Sequence, residues 1–232
     1  MELFSFVNDS LVPATQASLG VTDLSIQRGF GIFDFFKTLD HAPVYLDDHL
    51  DRFFSSASRL GLNPGKSRDE LKYMIGRLLN RNGIANSGVK LTLTGGYSAD
   101  GYSLARPNLV ITQQPLTMPI SAEPAKGIRL MTYPHMRQLP EIKTIDYLMA
   151  IWLQPKLREK GADDVLYHWD RVITECPRSN FFLVTAEGTL VTPGREVLRG
   201  ITRMKVLAAA KERLTTEERD VSIDELRGAK EA

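Results

Sequence analysis

The chain has 232 residues, 43% of them hydrophobic and 25% charged, and its 29 basic and 28 acidic side chains give a formal net charge of +1. This size and composition predict one large or two smaller soluble domains, each with its own core. The balanced charge predicts no nucleic acid and no anionic membrane surface among the partners. No apolar run approaches the roughly 18 residues that cross a bilayer.

The single cysteine, Cys176, excludes an internal disulfide and fits a reducing compartment. The first residues lack the basic region and apolar block of a secretory signal, so we expect a cytoplasmic protein. The four histidines and Cys176 do not show the spacing of metal ligands. The sequence therefore predicts no metal site.

The first half of the chain predicts short strands, two helices and a glycine-rich loop. Apolar side chains at helical spacing predict a helix over residues 46–60. A capping-box sequence beginning at Ser67 predicts a second helix, which ends near Gly83. Residues 95–103, GGYSADGYS, predict a loop. The predicted strands are residues 2–7, 10–13, 33–39, 89–94 and 108–113.

Prolines are concentrated in residues 115–124, which predict an interdomain linker. We therefore place one domain at residues 1–118 and another at residues 119–232. Strands and helices are mixed in both parts, which predicts an α+β fold.

The second domain is predicted to contain two helices. One covers residues 146–160, where Pro155 should kink or divide it. The other begins at about Thr202 and runs through the segment MKVLAAAKERL. The predicted strands of this domain are residues 127–133, 165–168, 171–175 and 181–185.

Lys143 lies in the segment EIKTIDYL, between apolar side chains and just before a predicted helix. Apolar neighbours partly desolvate a lysine and favour its neutral amine, which is a nucleophile able to form a Schiff base. A solvated lysine near a helix start is the alternative interpretation.

Three further features suggest a bound phosphate and a bound heteroaromatic ring. Glu175 ends a predicted strand and could pair with a protonated pyridine nitrogen. Gly200 opens the last helix, where unpaired N–H groups and the peptide dipoles favour an anion. Arg52 could bind a phosphate through two parallel hydrogen bonds. Considered singly, these features are better explained by an exposed glutamate, a threonine helix cap and a solvated arginine.

Four separated segments of the chain, given below in chain order, together resemble the class IV aminotransferases. This fold-type IV family includes branched-chain aminotransferases, D-amino acid aminotransferases and aminodeoxychorismate lyases. The resemblance extends from about Phe6 to Ala232, and it implies a small N-terminal α/β domain and a larger C-terminal pseudo-barrel domain. The matching segments are RGFGIFDFFKTL with YLDDHLDRFFSSASRLGL, KTIDYL, GADDVLYH with VITECPRSNFFLV, and GTLVTPGREVLRGITR.

The resemblance implies pyridoxal 5'-phosphate as the cofactor and the transfer of an amino group from an amino acid to a 2-keto acid by ping-pong kinetics. Lys143 matches the Schiff-base lysine, which also moves a proton between the substrate Cα and the cofactor. Glu175 matches the carboxylate that pairs with the pyridine nitrogen, and Leu198 the residue that packs on the ring. Tyr147 more loosely matches a tyrosine that binds the cofactor's phenolic oxygen.

The phosphate ligands of the family are matched by Arg52, by Ile201 through its backbone N–H, and by Thr202. The family continues beyond Ala232 with a strand and a threonine-rich turn that add phosphate contacts. We therefore expect that the sequence is truncated within its C-terminal domain. The alternatives are a natural loss of these contacts and a non-catalytic cofactor-binding protein.

The resemblance defines the substrate less sharply. Phe33 stands where D-amino acid enzymes have a tyrosine, and residues 95–103 lack the arginine and histidine of those enzymes. Both features favour branched-chain or other apolar amino acids as small-molecule substrates. A D-amino acid aminotransferase and a 4-amino-4-deoxychorismate lyase remain alternatives, the latter because its glycine-rich loop is similar.

Two further expectations concern recognition. Arg137 is a candidate for binding the substrate carboxylate, with a solvated loop arginine as the alternative. The resemblance also implies a homodimer, because the family completes each active site with a loop of the neighbouring subunit.

Overall fold

The computed structural model describes residues 2–117 and 127–232. The predicted domain boundary, between residues 118 and 119, lies outside the described residues, as does most of the predicted linker at residues 115–124.

The described residues form two compact units. The first contains residues 2–117 together with Ile142–Asp146, and the second contains residues 127–141 together with Tyr147–Ala232. Both units combine strands with helices, which confirms the predicted α+β class.

The first unit is built around a six-stranded sheet. Its strands are β1 (Phe4–Val7), β2 (Ser10–Pro13), β3 (Gly31–Leu39), β4 (Ala42–Pro43), β5 (Ser87–Thr94) and β6 (Leu109–Pro115). Every neighbouring pair is antiparallel, and the order across the sheet is β2-β1-β6-β5-β3-β4. All five strands predicted for this part of the chain are confirmed. The two-residue strand β4 is too short to carry an alternating pattern and was not predicted.

Three helices belong to the first unit: α1 (Leu24–Arg28), α2 (Leu46–Arg59) and α3 (Arg68–Asn82). Helix α3 begins with the predicted capping box, in which Ser67 and Glu70 satisfy each other's backbone N–H groups. Helix α2 has the predicted amphipathic spacing, and its buried side chains join the core of the sheet: Leu50, Phe53 and Ala57. Helix α1 has five residues, too few to show a helical period.

Residues Ile142–Asp146 extend the sheet of the first unit at the beginning of β3. The N–H of Phe33 donates to the carbonyl oxygen of Lys143 at 2.9 Å, and the N–H of Ile145 donates to that of Gly31 at 3.1 Å. Ile142 is buried in the same core. Lys143 is therefore in an extended segment that precedes the next helix, which begins at Leu148 and not at about residue 146 as predicted.

The second unit contains two three-stranded sheets. Strands β7 (Leu130–Pro134), β8 (Asp164–Trp169) and β9 (Val172–Ile173) form one sheet, in the order β7-β8-β9. Strands β10 (Leu183–Val184), β11 (Leu190–Pro193) and β12 (Thr216–Arg219) form the other, in the order β10-β11-β12. The pairs β7–β8 and β11–β12 are parallel, and the other pairs are antiparallel.

The helices of the second unit are α4 (Leu148–Trp152), α5 (Gln154–Lys160) and α6 (Ile201–Ala210). Pro155 stands at the start of α5, so the predicted helix is divided in two, as expected of an internal proline. Helix α6 ends at Ala210 instead of continuing to Leu214 as predicted. Strands β11 and β12 were not predicted, because β11 is short and β12, with the sequence TEER, has no apolar alternation.

The buried carboxylate of Asp23 joins three parts of the first unit. Oδ1 accepts a hydrogen bond from the N–H of Ser25 at 2.8 Å, and Oδ2 accepts from Thr94 Oγ1 at 2.7 Å and Asn108 Nδ2 at 2.8 Å. Burial acts to raise the pKa of Asp23, but these hydrogen bonds outweigh it and hold the pKa below its ordinary value.

We predict that Asp23→Ala lowers the free energy of unfolding by about 3 kcal/mol at pH 7, because it leaves buried donors without acceptors. The pKa of Asp23 is lower in the folded protein than in the unfolded chain, where it is about 4. Its contribution to the free energy of unfolding is therefore complete above about pH 4 and is lost as the pH falls through the pKa of the folded protein. Urea unfolding should therefore show the two proteins converging below about pH 4. Asp51→Ala removes an exposed partner of Arg68 and serves as the control. An equal loss of stability in both variants would contradict the prediction.

Candidate active site

The residues that the sequence predicts for the site occur in both units. The first unit holds Phe33, Arg52 and Lys143, and the second holds Arg137, Tyr147, Glu175, Leu198, Ile201 and Thr202.

Lys143 places its amine against an aromatic ring. Its Nζ lies 4.6 Å from the centre of the Phe33 ring, and Nζ of Lys90, on β5, lies 4.8 Å from the same ring. The N–H of Lys143 also donates to Ser56 Oγ, on α2, at 3.4 Å. The lysine is half-buried, and its backbone is fixed on both sides by β3 and α2. The structure thus brings Phe33 and Lys143 together.

Arg52 is held in one orientation by Asp34. Its Nε donates to Asp34 Oδ2 and its Nη2 to Oδ1, both at 2.8 Å, and His49 Nδ1 donates to Oδ1 at 2.7 Å. Burial acts to raise the pKa of Asp34, but the hydrogen bonds from His49 and Arg52 and the charge of Arg52 keep it below its ordinary value. Because this pair uses Nε and Nη2, the Nη1 group of Arg52 remains available to bind an anion.

Glu175 is buried, with 4% of its surface exposed, and accepts hydrogen bonds from three residues. Arg137 Nη1 donates to Oε1 at 2.8 Å. Asn180 Nδ2 and the N–H of Leu198 each donate to Oε2 at 3.1 Å. A buried carboxylate with a cation and two neutral donors is stabilised in its ionised form. It is therefore suited to pair with a protonated ring nitrogen.

The start of helix α6 has the properties of an anion site. Gly200 is the N-cap and has no side chain with which to cap the helix. The first backbone N–H groups, including those of Ile201 and Thr202, have no partner within the helix, and the peptide dipoles favour a negative charge there. Ile201 is buried and Thr202 is exposed, so the hydroxyl of Thr202 is open to a ligand.

The remaining predicted residues occupy defined positions. Tyr147 is half-buried and directly precedes α4. Arg137, considered for the substrate carboxylate, donates to Glu175 and, at 3.2 Å, to the carbonyl oxygen of Pro140. Next to Glu175, burial of the Cys176 thiol and the nearby charges of Asp164 and Glu175 raise its pKa to about 12, so it is not a nucleophile.

Three residues that matter to this geometry were not identified from the sequence. Asp34 and His49 orient Arg52, and Asn180 donates to both Glu175 and the carbonyl oxygen of Leu198. A charged residue in the apolar strand IFDFF was a usable signal for Asp34. Asn180 stands in an ordinary turn sequence and gave no comparable signal.

These groups fit pyridoxal 5'-phosphate chemically. A fixed arginine and an uncapped helix start suit its phosphate, an ionised buried carboxylate suits its ring nitrogen, and a half-buried amine suits its aldehyde.

Residues 31–232 match the family model for amino-transferase class IV. The chain belongs to the class IV aminotransferases. As a member of this family it is an enzyme that depends on pyridoxal 5'-phosphate, which confirms the predicted cofactor.

Several known class IV aminotransferases and related proteins are similar to the chain. The D-alanine aminotransferase of Bacillus licheniformis is 27% identical over 97% of this chain and 81% of its own length. The solved branched-chain amino acid aminotransferase of Escherichia coli has a TM-score of 0.88 at 21% identity, covering 99% of this chain and 81% of its own. A putative 4-amino-4-deoxychorismate lyase of Legionella pneumophila has a TM-score of 0.83 at 25% identity, covering 93% and 82%.

The likeness to the Escherichia coli structure confirms the predicted fold-type IV architecture of this aminotransferase. Among residues 2–117 and 127–232, no helix is long and apolar enough to cross a membrane. Within the same ranges, no three His, Cys, Asp or Glu side chains form a group that could hold a metal ion.

We predict that Arg52→Lys weakens the binding of pyridoxal 5'-phosphate about tenfold to a hundredfold, because lysine cannot pair with Asp34 and also present a second pair of N–H donors to the phosphate. Lysine keeps a cation beside the buried carboxylate, so the fold should be little disturbed. Titration of the apoenzyme followed by absorbance would measure the affinity. Pyridoxal, which lacks the phosphate, is the control ligand. If its affinity fell as much as that of the phosphate ester, Arg52 would not be a phosphate ligand.

Proposed function

We propose that this class IV aminotransferase moves the amino group of a branched-chain or other apolar amino acid to a 2-keto acid in a ping-pong cycle. The observation that supports this substrate class is the ring of Phe33, 4.6 Å from Lys143 Nζ. A substrate held at this amine would meet an apolar face, which favours an aliphatic side chain over a polar one.

The loop at residues 95–103 supports the same substrate class. Asp100 holds its shape by accepting hydrogen bonds from Ser98 Oγ, from the N–H of Tyr102 and from both the N–H and Oγ of Ser103, at 2.6–2.9 Å. These bonds hold the pKa of Asp100 well below its ordinary value. The loop carries no arginine or histidine and exposes the side chains of Tyr97 and Tyr102. It therefore offers no cation for a second carboxylate.

The proposed roles of the residues follow from their chemistry. Pyridoxal 5'-phosphate, when bound, supplies an electron-accepting ring that lowers the cost of breaking the Cα–H bond. Lys143 Nζ removes the proton from the substrate Cα as a general base and returns a proton later in the same half-reaction. Glu175 accepts a hydrogen bond from the protonated ring nitrogen. Arg52 and the N–H groups of Ile201 and Thr202 bind the phosphate.

A D-amino acid aminotransferase is the second candidate. It is favoured by the similarity to the D-alanine aminotransferase of Bacillus licheniformis, at 27% identity. Phe33 and the absence of basic residues from the loop argue against it. A 4-amino-4-deoxychorismate lyase is the third candidate, and the kinetic assays described below would detect it.

We also propose a homodimer in the cytoplasm. Helix α4 exposes an apolar face to solvent, which is typical of an interface: Leu148 (76% exposed), Ile151 (64%) and Trp152 (61%). The single buried thiol of Cys176 fits a reducing compartment. A monomer in light scattering would contradict the proposed assembly.

We predict that Lys143, and not Lys90, becomes covalently labelled when the holoenzyme is treated with borohydride. Both amines lie against Phe33, so Lys90→Ala is a closely matched control for Lys143→Ala. Mass spectrometry should find the reduced cofactor on the wild type and on Lys90→Ala, and none on Lys143→Ala. Labelling that persists in Lys143→Ala would contradict the proposed role of this lysine.

We predict that the holoenzyme converts L-leucine and 2-oxoglutarate into glutamate faster than it uses D-alanine. Phe33→Tyr, which adds only a hydroxyl to the apolar face, should lower kcat/KM for L-leucine about tenfold. Steady-state kinetics at several concentrations of both substrates would measure this, with parallel double-reciprocal lines expected. Faster turnover of D-alanine would support the second candidate instead. Release of pyruvate from aminodeoxychorismate without any keto acid would indicate the lyase.

A further inference from the structure

Asn180 contacts three of the positions that the second unit contributes to the proposed cofactor site. Its Nδ2 donates to Glu175 Oε2 at 3.1 Å and to the carbonyl oxygen of Leu198 at 2.8 Å. Its Oδ1 lies against Gly200, the N-cap of α6. We infer that Asn180 is a positioning residue that fixes the carboxylate of Glu175 and the start of α6 relative to each other. This inference rests on the proposed roles of Glu175 and α6.

The three residues form a closed set of hydrogen bonds. Glu175 Oε2 accepts from Asn180 and also from the N–H of Leu198, while the carbonyl oxygen of Leu198 accepts from Asn180. The two N–H bonds of one planar amide therefore have two different acceptors, which fixes the plane of the amide. A shift of any one residue must lengthen a bond to another.

The backbone around Asn180 supports this arrangement. Glu175 and Asn180 form an isolated antiparallel bridge, and the N–H of Cys176 donates to the carbonyl oxygen of Ser179 at 2.9 Å. The turn between them returns the chain directly beside Glu175, so a short side chain is sufficient to reach both Oε2 and Leu198.

The contact with Asn180, and not the backbone conformation of residue 200, explains why this residue is a glycine. Its φ is −64°, a value that any residue adopts. A Cβ at this position would lie 2.1 Å from Asn180 Oδ1, closer than non-bonded atoms approach, and 3.3 Å from Asn180 Cγ, which is a tight contact. The absence of a side chain at residue 200 therefore allows the amide to lie across the helix start.

The start of α6 is also anchored from its other side. Arg203, in the first turn, is 5% exposed and donates through Nη2 to the carbonyl oxygen of Pro193 and to Glu218, both at 2.9 Å. Arg203 ties the helix to β11 and β12. On the side of Glu175, the helix start is joined to the carboxylate by Asn180 and by the N–H of Leu198, which donates to Glu175 Oε2. Asn180 thus connects the proposed partner of the ring nitrogen with the proposed phosphate site.

The test compares apoenzyme variants by their affinity for pyridoxal 5'-phosphate, their thermal unfolding without cofactor, and the circular dichroism induced in the bound cofactor. Asn180→Ala removes all three contacts. Asn180→Asp keeps the size and shape of the side chain, so it creates no cavity, but it faces Glu175 with an acceptor instead of a donor. Ser222→Ala is the control, because it removes a different partly buried hydrogen bond of the same unit, which the N–H of Glu225 donates to Ser222 Oγ.

We expect Asn180→Ala and Asn180→Asp each to weaken cofactor binding by about tenfold or more and to reduce the induced circular dichroism. Ser222→Ala should lower thermal stability but keep the wild-type affinity and dichroism, because the side chain of Ser222 bonds to Glu225 and to none of the residues proposed to bind the cofactor. Wild-type affinity and dichroism in Asn180→Asp would overturn the inference.

A double-mutant cycle with Gly200→Ala tests the geometry itself. Gly200→Ala alone should weaken cofactor binding, because its methyl group displaces the Asn180 amide. In Asn180→Ala/Gly200→Ala the amide is gone, so the second substitution should have little additional effect. Additive losses would overturn the inference. A wild-type apoenzyme that fails to bind the cofactor would instead overturn the proposed function, and the inference with it.

Discussion

Two backbone hydrogen bonds join residues 142–146 to the first residues of β3, and the position of Lys143 depends on them. They place the lysine one strand away from Phe33, with Nζ against its ring. The pairing brings the two segments close together, since a Cβ on Gly31 would lie 3.2 Å from Ile145 Cδ1. On the side of β5, the same Cβ would lie 2.8 Å from the carbonyl oxygen of Leu93. Burial of Ile142 in the core of the sheet stabilises the same register. A mobile amine on a loop would lose this precision, and general-base catalysis depends on it.

Each unit contains a buried carboxylate that is paired with an arginine. Asp34 and Glu175 are both buried carboxylates, and each accepts hydrogen bonds from an arginine and from other donors. A buried carboxylate is strongly destabilising unless its charge and its lone pairs are satisfied. In the first unit, Asp34 orients Arg52, the arginine proposed to bind the phosphate. In the second unit, Arg137 supports Glu175, the carboxylate proposed to pair with the ring nitrogen.

The sequence was sufficient to predict those helices whose boundaries are determined by neighbouring residues. The spacing of apolar residues predicted α2, the capping box at Ser67 predicted the start of α3, and Pro155 predicted the division between α4 and α5. The residues of the candidate site came from the family resemblance, because their individual patterns were equally consistent with ordinary surface residues.

The features that could not be predicted from the sequence depend on contacts between distant parts of the chain. The partner of residues 142–146 is β3, more than 100 residues earlier, and nothing in the segment EIKTIDYL specifies it. Strand β12 is polar and is formed by parallel pairing with β11. Asn180 acts through distances to Glu175 and Gly200 that only the folded chain defines.

Cys176 is the only thiol in the chain, and it is buried with a pKa of about 12. Almost none of it is ionised at neutral pH, so maleimide dyes should leave it unmodified while the protein is folded. A cysteine introduced at Tyr102, where 86% of the side chain is exposed, would then be the single reactive position. The natural sequence thus provides an unreactive background for attaching a fluorophore to the glycine-rich loop.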